Sequence, residues 1–177
     1  MVITSSNIEI SLPIRPLSQL NLGSTSYKFG NAHFNGTVYA STFDGTATKA
    51  KYADLAENYL ADKDYEIGTV LILGGTEEVC TTDKKGDTRI VGIVSANPAY
   101  LMNSELQGNF VKAVALQGRV DCRVVGKVNK GDMLVSSAIA GYAIVDNDPR
   151  IGTVLGKAVG EKTDDGKGVV EIVVGRL

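Results

Sequence analysis

Asp54 and Glu57 are the two residues of this 177-residue chain best spaced for acid–base chemistry. A helix or tight turn brings acids three apart together, and two close carboxyls raise one pKa, so that one group can give a proton while the other takes one. The same spacing is ordinary on a solvated helix face. Other chemistries have less to work with. His33 is the sole histidine, so no Ser-His-acid triad and no Cys/His zinc cluster can be assembled. Cys80 and Cys122 each lie in a strand-like run, where a small buried thiol is the expected role, rather than a disulfide. Gly74-Gly75 and the run from Gly126 to Gly131 lack phosphate-loop spacing and read as turns. Asn35-Gly36-Thr37 matches a glycosylation acceptor that only a secreted eukaryotic protein would use. No metal and no cofactor is implied.

The elements that must position Asp54 and Glu57 divide into three parts. Residues 46–62 are Ala-rich and free of Gly and Pro, with Tyr52, Leu55, Ala56 and Tyr59 at helical spacing, which predicts a short connecting helix that must be packed against something. Residues 1–45 carry short alternating runs, Pro13 and Pro16, and then Gly-punctuated stretches such as Thr37–Phe43. These have strand-like faces but too few large apolar groups to cover them, and their edges would be left unpaired. Aromatics at 27, 29, 34, 39 and 43 argue against a disordered arm. The expectation is an extended, intertwined β stem built from several copies.

Residues 63–177 hold a pattern that occurs twice. Ile67-Gly68-Thr69-Val70-Leu71-Ile72 is echoed by Lys130-Gly131-Asp132-Met133-Leu134-Val135, and Asp87-Thr88-Arg89-Ile90 with Gly92-Ile93-Val94 by Asp148-Pro149-Arg150-Ile151 with Gly156-Lys157-Ala158-Val159. Residues 113–126 read as two strands around Gly118, and 168–175 as a last strand. Short β-branched strands between Gly- and Asp-containing turns predict an all-β globular domain, a pseudo-two-fold β-barrel. The fold class is thus mainly β: stem, short helix, barrel-like tip. A net charge of -2 with scattered Lys and Arg argues against nucleic acid. No apolar run reaches the roughly 20 residues of a membrane span, and the N-terminus lacks a signal-peptide layout, so the expectation is no membrane insertion and no Sec export.

With these residues in view, Asn21–Phe29 and Tyr39–Ala47 resemble the stem end of tailed-bacteriophage fibre and spike proteins. Tyr52–Glu57, Tyr65–Leu71 and Val91–Pro98 resemble the globular domain that ends many such fibres, similar to the intramolecular chaperone of phage neck-appendage proteins. That resemblance implies a homotrimer, contacts to other tail or fibre proteins, and a virion location after assembly in the bacterial cytoplasm. It also implies self-cleavage by an acidic pair in an Asp-x-Ala-Glu motif, matched here by Asp54 and Glu57. The family places a serine just after the cut bond, whereas Thr48–Ala53 contains none. The leading expectation is therefore a non-enzymatic structural tip that sets trimer register and caps the stem, the alternative being an autoproteolytic chaperone. The loop at Ala99–Ser104, with Tyr100 and Asn103, is the candidate contact for a host-surface glycan or protein.

Overall fold

A computed structural model describes residues 2, 3, 8, 9, 24–40, 42, 49 and 53–175. The chain divides into two units, Met1–Thr46 and Ala47–Leu177. In the first, β1 (Val2–Ile3) pairs antiparallel with β2 (Ile8–Glu9). Residues 24–40 form bends without strands, and Ser24 caps its own turn by accepting from the Tyr27 amide at 3.1 Å. Tyr27, Phe29, Phe34 and Tyr39 stand 64–93% exposed in the single chain.

The second unit is all β among its described residues. Its strands are β3 (Asp54–Leu60), β4 (Val70–Leu73), β5 (Val79–Cys80), β6 (Ile90–Val94), β7 (Tyr100–Met102), β8 (Val111–Val125), β9 (Met133–Ser136), β10 (Ala143–Val145), β11 (Val154–Ala158) and β12 (Lys167–Val174). The helix expected over 46–62 is not formed: Asp54–Leu60 is strand β3, while 46–48 and 50–52 lie outside the described residues. Antiparallel pairing of β3 along β8, from Asp54 opposite Gly118 to Leu60 opposite Val111, gives these residues a non-local ladder that outweighs their helical preference.

The doubled sequence pattern is a doubled strand order. In the first copy the order runs β5-β4-β6-β8, and in the second β10-β9-β11-β12. Even the irregularities recur. The β4–β6 register skips Val91, just before Gly92, and the β9–β11 register skips Leu155, just before Gly156. Each glycine lets a neighbouring backbone come close: an added Cβ would lie 2.2 Å from the Ala115 carbonyl oxygen at Gly92, and 2.2 Å from that of Val173 at Gly156. A bulge beside a glycine bends a strand sharply, which is how a short sheet rolls up.

Both copies share β8, the longest strand. Its second half pairs with β12 on one side and, through Val124 and Ala143, with β10 on the other. The ring β8-β12-β11-β9-β10 is thereby a closed five-stranded barrel. Its interior is filled by Val120, Cys122, Val124, Leu134, Leu155, Val170 and Ile172, with Val70 and Ile93 of the first copy packed against them. Along β12 the alternation is clean, Val170, Ile172 and Val174 buried and Val169, Glu171 and Val173 facing out. Each large apolar side chain in this core contributes about 1.5 to 3 kcal/mol of transfer free energy. A second cluster, Ala61, Tyr65, Leu71, Val79, Val94 and Val114, fills the first copy, where the bridge Ala61–Val79 joins the end of β3 to β5. The barrel expected from the doubled pattern is thus present: the second copy closes on β8 through β10, and the first copy's strands run β8-β6-β4-β5 and return to β8 through the Ala61–Val79 bridge and β3.

Candidate functional site

Strand β3 decides where the predicted acids go. A strand alternates its side chains between two faces, so Asp54, Ala56 and Asn58 are buried while Leu55, Glu57 and Tyr59 are half-buried on the other side. Asp54 and Glu57, three apart, therefore lie on opposite faces and do not form a dyad within the chain. The start of β3 is held by Gly118, whose φ of +101° is open to glycine and whose added Cβ would lie 2.1 Å from the Ala53 carbonyl oxygen. Gly118 is not the turn expected between two strands. It is a bend inside one 15-residue strand.

Asp54 lines a cleft of about 290 Å³ with Ser95, Asn97, Arg119, Asp121 and Glu171. It is 5% exposed, and its Oδ2 is a buried side-chain oxygen with no hydrogen-bond partner among the described residues. Buried carboxyl oxygens nearly always have partners, because an unmet one costs about 1 to 3 kcal/mol or more. Arg119 Nη1 approaches Glu171 Oε2 at 3.5 Å, and Glu171 stands directly opposite Asp121 across β12 and β8.

Glu57 has a different occupation. Its Oε2 accepts from the Tyr59 hydroxyl at 2.9 Å, and burial, then that bond and the negative charges of Glu57 and Glu78, push the Tyr59 phenol up to about 12. Asn103 also does structural work. Its Nδ2 donates to the Asn58 carbonyl at 3.1 Å and its own carbonyl accepts from Asn58 Nδ2 at 3.2 Å, a reciprocal clasp with Asn103 at φ 53°. Tyr100, on β7 beside Leu55, is 65% exposed. The two thiols are unpaired: Cys122 is fully buried with its pKa driven far up by desolvation, and Cys80 is half-buried with its pKa also raised by desolvation.

The globular fold is one seen in bacteriophage phi29. The pre-mature gene product 12 of that phage matches 80% of this chain at 16% identity with a TM-score of 0.55, and the chain spans 24% of that protein's length. The C-terminal fragment of the same gene product is matched over its full length by 70% of this chain, at 16% identity and a TM-score of 0.50. The base of the phi29 head fibre gp8.5 matches 68% of this chain, and 92% of its own, at 17% identity and a TM-score of 0.42. No known protein family and no curated protein matches the sequence. At such identities the likeness is one of fold.

Sequence reasoning found Asp54 and missed its neighbours. Ser95 and Asn97 follow β6, Arg119 and Asp121 sit on the outward face of β8, and Glu171 comes from β12, some 117 positions after Asp54. Outward acids on alternating strands are ordinary surface. Only the strand register brings Asp121 and Glu171 together beside Asp54, and no local pattern announces it.

Proposed function

We propose that the chain is a structural component of a phage virion, the distal end of a homotrimeric tail fibre whose globular domain promotes trimerisation and caps the stem. The observation that carries this reading is the pairing of a domain folded like the C-terminal fragment of phi29 gene product 12 with a segment, residues 24–40, whose aromatics stand 64–93% exposed in one chain. Neighbouring copies supply their cover, and a compact domain on each chain keeps three stems at high effective concentration. Light scattering coupled to size exclusion tests it. The expected mass is three times the 18.7 kDa chain; a monomer with a structured stem overturns it.

A second reading, self-cleavage near residues 48–54 by an intramolecular chaperone, is favoured by the unpartnered Asp54 carboxyl at that junction. With Glu57 on the other face, Asp54 would act without it inside one chain. Intact mass after prolonged incubation decides the matter: two fragments lost in Asp54→Asn support scission, and a single uncut species ends the idea. Host-surface recognition, the finer part of the fibre reading, is assigned to Tyr100 and the Asn103 loop because Tyr100 projects from an edge strand. Cell binding that survives Tyr100→Ala and Asn103→Ala removes that site.

A further inference from the structure

We propose that the Asp54 cleft is a binding site for an alkylammonium group, whether of a free amine or of a lysine side chain from a second copy of this chain. This holds whichever reading of the whole protein is correct.

Three observations converge on a positively charged ligand. The first is the orphaned Oδ2 of Asp54, an acceptor that is buried and unpartnered among the described residues, on a residue that lines the cleft. An acceptor in this state calls for a donor. The second is the pairing of Asp121 directly opposite Glu171. Like charges facing each other across two strands repel, so a cation between or beside them is stabilising. The third is the local balance of charge. Three acids face one arginine, and Arg119 is already directed to Glu171. Asp54 and Asp121 have no ion-pair partner among the described residues.

Size and donor chemistry narrow the class. A cleft of about 290 Å³ is far larger than a bare metal ion fills. Among the described residues no three acids, histidines or cysteines lie together at metal-binding spacing. An ammonium on an alkyl stem suits the site better. Its three N–H donors suit the several carboxyls of the residues that line the cleft, and its methylenes can lie along Ala53 and Ile67 in the same wall. An anion finds no free cation here.

The test uses the full chain, isotope-labelled, with backbone amide spectra followed during titration with n-butylammonium chloride at constant ionic strength. Saturable shifts are expected at Ser95, Asn97, Arg119, Asp121 and Glu171, with none from n-butanol. Asp121→Asn, an exposed position that should not disturb folding, is expected to weaken binding about fivefold, the scale of one exposed ion pair. Asp54→Asn should weaken it further if that variant folds. To separate the two sources, labelled and unlabelled chains are mixed and treated with a carbodiimide. Mass-spectrometric links from Asp121 or Glu171 to a lysine of the other isotope assign the ligand to a second copy, and their absence alongside butylammonium binding assigns it to a free amine. Shifts no larger than those from sodium chloride overturn the proposal, as do binding unchanged in Asp121→Asn, or the same shifts produced by calcium chloride at lower concentration.

Discussion

Asp87 shows what a fully partnered buried acid looks like in this fold. It is 1% exposed, and its carboxyl accepts from Thr82 Oγ1 at 2.9 Å, from the Arg89 amide at 3.0 Å, and from Arg89 Nε and Nη2 at 3.1 and 2.7 Å. Its backbone amide donates to Ser136 Oγ at 2.8 Å, tying the β5–β6 loop to β9. The Arg89 hydrogen bonds, followed by that from Thr82, hold this carboxyl well below the usual carboxylate range despite the opposing effect of burial. The folded chain therefore binds fewer protons here than the unfolded chain as pH falls. The stability from this group is complete above about pH 5 and drains away as pH drops through about 4 and below. Urea unfolding should show Asp87→Asn losing about 2 to 4 kcal/mol at pH 7, most of it from the buried hydrogen bonds because the half-exposed Arg89 is screened by solvent. The gap to the parent chain should narrow at pH 3. A constant gap between the two pH values would mean the carboxyl's charge contributes nothing. Asp54, 5% exposed, has no such set of partners among the described residues, and that contrast makes its cleft the place to look for a ligand.

At the scale of elements, the two β-bulges are the devices that curl each copy of the strand repeat. Gly92 and Gly156 occupy the same place in their copies, each meeting a carbonyl oxygen of the next strand at 2.2 Å from a hypothetical Cβ. Gly92→Ala and Gly156→Ala should each cost about 1 to 3 kcal/mol in urea unfolding, the range for forcing a group into a packed site. If one is near neutral, its strand moves apart freely and the equivalence of the bulges fails. The repeat itself was legible in the sequence, since Gly, β-branched residues and Asp recur with the strands they punctuate. The strand at 54–60 was not. Its composition of Ala, Leu, Glu and Tyr suits a helix, and only contact with residues 111–118, more than fifty positions away, makes it β. Gly118 was visible as a break but not as a bend, because a φ of +101° serves either purpose. The candidate site suffered the same fate: Asp54 stood out by type, while the partners that give it an environment are gathered by register.

For the whole molecule, the question is what covers Tyr27, Phe29, Phe34 and Tyr39. Burying an aromatic side chain recovers on the order of 2 to 3 kcal/mol, so four of them on each of three chains form a cohesive force well above the cost of association. If the trimer depends on this surface, replacing all four by Ser should convert the full chain from a species of three times 18.7 kDa to one of 18.7 kDa. The far-UV signal of the globular unit should be unchanged, because its cores draw on residues from Ala56 onward and on none of the four substituted positions. The complementary measurement separates two sources of assembly. A chain with the four serines that remains trimeric places the cohesive contacts in the globular unit, where Ile151 is 95% exposed at the rim of an 800 Å³ groove lined by Val91, Leu116, Val154 and Leu155. In that event Ile151→Asp in the four-serine chain should dissociate it, since a charge cannot be desolvated against an apolar wall without several kcal/mol of cost.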